Sequence, residues 1–152
     1  MMGVRVESKE IFFLFTLVSL LVIPYFHNQL IVGIFVNAVL FLSVSYFGLS
    51  RALLLGMFPS VVAYMSGLLC VAYGIPFIIL GNSILCVVFF ICRSLGTVSY
   101  LLAAIAKFLI LFFVSSVVFS SVTLGVTMGA LQLVTAIAGG WLASIINKKI
   151  LF

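Results

Sequence analysis

One lysine lies in the middle of a long apolar segment. Lys107 belongs to the stretch SYLLAAIAKFLILFF, which runs from Ser99 to Phe113. If this segment is a transmembrane helix beginning near Thr97, Lys107 lies roughly 15 Å along it, close to the bilayer midplane. A charge there costs at least about 2.5 kcal/mol, and only lysines near helix ends reach the interface easily. We therefore interpret Lys107 as a functional residue.

Four other polar side chains are predicted at a similar depth. Asn37, Asn82 and Gln132 fall in the outer halves of their segments, and Tyr64 lies near the middle of another. Each amide has an alternative role as an interhelical hydrogen bond, worth roughly 0.6 kcal/mol. Together with Lys107, however, these groups predict a cavity that is open to the outside and that favours an anionic or carbonyl-bearing ligand.

The chain lacks the groups that most catalytic and metal sites require. It contains no aspartate, its two acids are Glu7 and Glu10, and its single histidine is His27 in a short loop. No carboxylate pair, metal-ligand cluster or Ser/His/Asp set can be built from these residues. We expect no catalytic residues, no metal site and no resident cofactor, so an enzyme is not predicted.

The cysteine spacing and the net charge argue against a metal–thiolate site and against a nucleic-acid-binding protein. The three cysteines have no zinc or iron–sulfur spacing and are interpreted as buried apolar residues: Cys70, Cys86 and Cys92. The net charge of +5 comes from isolated residues at segment ends and forms no basic face. A nucleic-acid partner is therefore not expected.

Composition indicates what kind of protein positions these residues. Of the 152 residues, 66% are hydrophobic and 6% are charged, and the mean hydropathy is +1.55. This predicts an all-α membrane protein with one integral membrane domain over residues 1–152. A helix needs roughly 20 residues to cross a bilayer. Six spans are predicted, at about residues 11–26, 30–47, 52–73, 75–92, 97–120 and 126–147.

The basic residues predict the orientation of this six-helix bundle. Six spans place every basic residue except Lys107 on one side: Arg5, Lys9, Arg51, Arg93, Lys148 and Lys149. Basic loops remain cytoplasmic, so both termini are expected in the cytoplasm, with the chain in the cell membrane as a multi-pass protein. No small-residue cleavage site follows the first span, which we therefore expect to be retained.

Residue size predicts how two of the helices are rotated. On the fifth span, Lys107 shares a face with small residues, whereas Leu101, Ile105, Phe108 and Phe112 occupy the other face and are expected to meet lipid. Span three carries a stripe of small residues that should pack closely against a helix of this chain or of another subunit: Ala52, Gly56, Ser60, Ala63 and Gly67. Pro59 should kink that span.

Three stretches of the sequence resemble a known family. They are GMFPSVVAYMSGLL (Gly56–Leu69), GIPFIILGNSILCVVF (Gly74–Phe89) and TMGALQLVTAIAGGWLASII (Thr127–Ile146). With six short spans, they are similar to the substrate-binding S components of energy-coupling factor transporters, in particular a group of about 150 residues with uncertain substrate. The first span departs from the family pattern, because IFFLFTLVSLLVI contains no Ala-xxx-Ala motif.

The resemblance implies a transport mechanism. An S component binds a vitamin or metal-related micronutrient at the outer side and associates with a transmembrane T component and two ABC-type ATPases. The partner subunits would then use the ATP. Two other functions fit the residues: a stand-alone channel or ion-coupled carrier, which normally needs an intramembrane acid, and a structural or assembly subunit in which Lys107 pairs with an acid of another chain.

Overall fold

The structure is a computed structural model that describes residues 2–67, 74–118, 120 and 122–150. Of residues 2–8, 124, 149 and 150 it describes the backbone alone. The described residues form six α-helices and no strand: α1 (Met2–Val22), α2 (Gln29–Phe47), α3 (Leu49–Met65), α4 (Gly74–Cys92), α5 (Val98–Val118) and α6 (Val122–Ile150). Short 3₁₀ turns, Ile23–Phe26 and Arg93–Leu95, follow α1 and α4. The predicted all-helical fold with six helices is confirmed.

Helix lengths indicate a multi-pass membrane protein. Five apolar segments are long enough to cross a bilayer: Lys9–Phe26, Gln29–Phe47, Gly74–Leu95, Val98–Val118 and Gly125–Lys148. The sixth helix, α3, is apolar but has 17 residues. The prediction for this span was too long, because α3 ends at Met65 and Gly67 then adopts a left-handed φ of 77°. The last part of the predicted span, residues 68–73, lies outside the described residues.

Local chemistry explains where several helices begin. The Asn28 side chain caps α2 by accepting hydrogen bonds from the backbone N–H groups of Leu30, at 3.1 Å, and Ile31, at 3.2 Å. Gly48, with a φ of 84°, is the only residue between α2 and α3 and reverses the chain there. This tight connection makes α2 and α3 antiparallel neighbours.

The basic side chains that the structure describes lie, apart from Lys107, toward one end of the bundle, which we call the basic end. Arg51 lies in the first turn of α3, next to the end of α2, and its guanidinium contacts Glu10 of α1 at 2.7 Å. The Asn147 side chain near the end of α6 donates hydrogen bonds to the hydroxyls of Tyr100, at 2.9 Å, and Ser45, at 3.3 Å. These contacts bring parts of α2, α5 and α6 together at this end.

Helices α2, α4, α5 and α6 pack around the centre of the bundle, and small residues allow their close approach. A Cβ atom on Gly139 would lie 2.7 Å from the Ile34 carbonyl oxygen and 2.8 Å from the Ala38 nitrogen, so the α2 and α6 backbones are nearly in contact. On α5, Leu101 and Ile105 are exposed as predicted.

Two aromatic residues of α5 require a correction, because they do not face lipid alone. A Cβ atom on Gly129 would lie 2.9 Å from the Phe108 ring, and one on Gly125 would lie 3.3 Å from the Phe112 ring. Both rings therefore pack over glycines of α6. The absence of side chains at these glycines creates the space that the rings fill.

Candidate functional site

The Lys107 ammonium lies at the centre of the bundle and is held by two amide oxygens. Lys107 is 1% exposed. Its Nζ donates hydrogen bonds to Asn37 Oδ1 at 2.7 Å and to Asn82 Oδ1 at 2.8 Å. Asn37 and Asn82 occupy the middle of α2 and α4, as Lys107 does on α5. Three helices are therefore joined at one level by a single cation.

Each amide is oriented by a second hydrogen bond. Asn37 Nδ2 donates to Thr135 Oγ1 of α6 at 3.2 Å, and Asn82 Nδ2 donates to the Gly56 carbonyl oxygen of α3 at 2.9 Å. Since both nitrogens are engaged in this way, both oxygens point toward the ammonium. The network thus connects five helices, and its members are fixed by one another.

None of the carboxylates that the structure describes lies beside Lys107. The only acids of the sequence are Glu7 and Glu10, both near the N-terminus, and Glu10 pairs with Arg51 at the basic end. An ammonium has three N–H donors. Two donate to the amides, and the third has no acceptor among the residues that the structure describes. When Lys107 is protonated, the site therefore carries one positive charge that no described carboxylate offsets, and one unused donor.

A cavity of about 70 Å³ adjoins Lys107. Its polar lining residues are Gln29, Asn37, Ser60, Asn82, Lys107 and Gln132, and its apolar wall includes Val32, Val36, Pro59 and Ile78. Gln29 begins α2 and Ile78 belongs to the first part of α4, so the cavity runs from Lys107 away from the basic end. This volume holds about five water-sized groups.

A serine in the cavity wall has an unused hydroxyl. Ser60 is 1% exposed, and its Oγ has no hydrogen-bond partner among the described residues. A buried hydroxyl without a partner costs roughly 1 to 3 kcal/mol. Because Ser60 lines the cavity, a water molecule or a ligand there can supply the missing partner.

Toward the basic end, a cluster of three aromatic rings follows the network. The centroid of the Phe41 ring lies 5.0 Å from the centroid of the Phe89 ring and 5.0 Å from that of the Tyr100 ring. The centroids of the Phe89 and Tyr100 rings are 4.7 Å apart. Phe41 is 0% exposed and Phe89 is 4% exposed. This aromatic layer fills the space between α2, α4 and α5, so the bundle is closed by packed rings toward the basic end and open at the cavity beyond the network.

The predicted site residues divide into two groups. Lys107, Asn37 and Asn82 are brought into direct contact, and Gln132 lines the same cavity without a hydrogen bond to Lys107. The structure does not bring Tyr64 to this group. Tyr64 is 44% exposed, because it lies on α3 one position beyond the cavity-lining Ala63 and therefore points about 100° away from it.

The small-residue stripe of α3 packs inside this chain. Ala52 and Ser60 are buried, and a Cβ atom on Gly56 would lie 3.4 Å from Asn82 Cβ. Ala63 lines the cavity, and Gly67 lies in the turn after the helix. The buried part of the stripe therefore packs within this chain, and at Gly56 its neighbours are Asn82 of α4 and Leu40 of α2.

Two features of the site were not predicted from the sequence. Ser60 was assigned to packing alone, although its hydroxyl faces the same cavity as Lys107. The aromatic layer was also missed. The sequence does contain a signal for it, because each ring lies one or two helical turns from a network residue on its own helix. Phe41 follows Asn37 by four residues and Phe89 follows Asn82 by seven. Tyr100 precedes Lys107 by seven. Residues at these spacings share a helix face.

Comparison with known proteins does not add to this description. The sequence matches no family model, and no curated protein or solved structure matches it.

Proposed function

We propose that this chain is the substrate-binding S component of an energy-coupling factor importer in the cell membrane. The observation that carries the proposal is the Lys107 ammonium, held by two amide oxygens beside a cavity with unused donors. A buried charge within the membrane is expensive and is retained mainly where it serves a function. In this proposal it recognises a small micronutrient.

The proposed orientation follows from charge and from the cavity. If the basic end is cytoplasmic, then all six helices cross the membrane, both termini are cytoplasmic and the cavity faces outward. The aromatic layer then separates bound substrate from the cytoplasm. Substrate delivery requires the T component and two ATPases, which hydrolyse ATP. The chain itself is not an enzyme.

A stand-alone channel or carrier is the second candidate. It is disfavoured by the aromatic layer, because the packed rings of Phe41, Phe89 and Tyr100 leave no evident path from Lys107 to the basic end. An assembly subunit is the third candidate. It is disfavoured by the burial of Lys107, because with 1% exposure an acid of another chain could reach it only through the cavity.

The test is gentle purification of the tagged protein from its native membrane, followed by mass spectrometry of the proteins that accompany it. The expected result is recovery of a T-type membrane subunit and two ATPases. A homo-oligomer without ATPases, under conditions that preserve known transporter complexes, would contradict the proposal and favour a channel or carrier.

A Lys107 variant in the same experiment tests the assembly-subunit candidate. Lys107→Met should still recover the partner subunits, since the side chain is enclosed within this chain. Loss of partners from a variant that still inserts in the membrane would instead support the assembly role. Ser43→Ala is the matched control, because Ser43 is also buried and bonds only the Val39 carbonyl.

A further inference from the structure

Two unused hydrogen-bond donors lie in the wall of one cavity. One is the third N–H of the Lys107 ammonium, and the other is the Ser60 hydroxyl, which has no partner among the described residues. Lys107 comes from α5 and Ser60 from α3, and both side chains are 1% exposed. Both groups can donate to the same ligand, which must therefore offer acceptors.

With Lys107 protonated, charge balance favours a ligand with a single negative charge. The cavity contains one cation, and its other polar lining residues are neutral amides and a hydroxyl: Gln29, Asn37, Ser60, Asn82 and Gln132. One anionic group neutralises Lys107. A dianion would leave a net negative charge in a site of low dielectric constant, where an unpaired charge is strongly disfavoured.

Size and wall chemistry favour a carboxylate over an inorganic anion. A cavity of about 70 Å³ accommodates a group of about five heavy atoms. Val32, Val36 and Ile78 form part of its wall, and these apolar side chains pack well against carbon but provide no hydrogen bonds to a halide or nitrate.

We propose that the cavity binds one carboxylate group of a monoanionic organic substrate. One carboxylate oxygen accepts the third N–H of Lys107, and the other accepts the Ser60 hydroxyl. The remainder of the substrate lies between Gln29 and Gln132, away from the basic end. This inference rests on the proposed function in that it names the substrate class of the same site, but the site can be tested without partner subunits.

The test uses the carboxylate group alone as the probe. The purified full-length chain in lipid nanodiscs is titrated with sodium acetate or propionate to about 100 mM, and its melting temperature is measured. Acetamide and propionamide are the neutral isosteres, and sodium chloride and sodium nitrate at equal ionic strength are the inorganic controls. Bound ligand raises the melting temperature in proportion to ln(1 + [L]/Kd), so the expected result is a rise with the carboxylates only.

Substitutions in the cavity wall test whether the carboxylate probe binds in this cavity. Ser60→Ala should weaken the carboxylate Kd about tenfold, because it removes one hydrogen bond to a charged group. Lys107→Met should abolish the rise. Ser43→Ala, which removes an equally buried hydroxyl outside the cavity, should leave the Kd unchanged. If Lys107→Met does not fold, the comparison of Ser60→Ala with Ser43→Ala still decides.

Several outcomes would overturn the inference. An equal rise with the amides would indicate recognition of a neutral carbonyl, and an equal rise with chloride or nitrate would indicate an inorganic anion site. No rise with acetate or propionate, or an unchanged Kd in Ser60→Ala, would reject the carboxylate site. Carboxylate binding without recovery of ATPases would instead refute the proposed importer alone, and recovery of ATPases without carboxylate binding would refute only this inference.

Discussion

The two sides of Lys107 differ in how their volume is filled. Toward the basic end, the rings of Phe41, Phe89 and Tyr100 pack against one another, with their centroids 4.7 to 5.0 Å apart. On the opposite side, a cavity of about 70 Å³ is lined by both polar and apolar side chains. The same helices form much of both regions, so the difference arises from side chains. One side provides stability by close packing, and the other leaves volume and donors for a ligand.

The contrast also explains why a lysine is tolerated at this depth. Its charge is stabilised by two oriented amide oxygens and can be hydrated or paired from the cavity, whereas the aromatic layer fills the bundle farther toward the basic end. A lysine surrounded by rings on both sides would lack these polar partners.

The largest loss of stability is expected on the packed side. Phe41→Ala should lower the free energy of unfolding by about 3 to 5 kcal/mol, because a fully buried ring leaves a cavity among Phe89 and Tyr100. Val36→Ala, in the wall of the ligand cavity, should cost only about 1 to 2 kcal/mol, since part of its surface already borders empty volume. Titration with a denaturing detergent measures both, and equal losses would remove the contrast.

Removing one of the two amide acceptors while the Lys107 ammonium remains should destabilise the protein. Asn82→Leu leaves Lys107 with one amide partner, so we expect a loss of about 3 kcal/mol, as for other broken buried charge interactions. Adding Lys107→Met should recover most of it, because the charge is removed as well. The same unfolding measurement on the single and double variants gives the coupling. Strictly additive losses would show that Asn82 does not stabilise the ammonium.

A glycine-to-alanine substitution should cost more stability where two helix backbones are nearly in contact than where the new Cβ would meet only side chains. Gly139→Ala should cost about 1 to 3 kcal/mol, because its Cβ would overlap backbone atoms of α2 at Ile34 and Ala38. Gly56→Ala is the matched control. Its Cβ would make an ordinary 3.4 Å contact, and alanine favours the helix by up to about 1 kcal/mol. If Gly56→Ala were the more damaging change, the helix spacing described for α2 and α6 would be incorrect.

The smallest effect is expected for the exposed ion pair. The side chains of Arg51 and Glu10 are 44% and 49% exposed, so Arg51→Gln should cost less than about 1 kcal/mol. Glu10→Gln should have a similar effect, and salt should reduce both because it screens exposed charges. Melting temperatures at low and high salt measure this. A loss comparable to that of Asn82→Leu would mean that the pair holds α1 against α3 far more strongly than its exposure implies.

Sequence patterns were enough to predict an all-helical membrane protein and three members of its polar network: Asn37, Asn82 and Lys107. Apolar run lengths depend on local composition, so the helices could be located without knowledge of their packing. The inward direction of Lys107 and Gln132 also followed from helical periodicity, because Thr135, Gly139 and Ala143 share the face of Gln132 and are buried. The end of α3 was misplaced because a left-handed glycine, not loss of hydropathy, terminates it.

Which polar groups contact one another depends on how the helices pack. Asn37 and Lys107 are separated by 70 positions in the chain, and their contact depends on the azimuth and tilt of two helices, which periodicity constrains only within a helix. The same reason explains Tyr64 and Ser60. Both lie on α3 and both are polar, but a rotation of a few tens of degrees decides whether a side chain reaches the cavity or the surface. The aromatic layer likewise exists only because α2, α4 and α5 place their rings at one level.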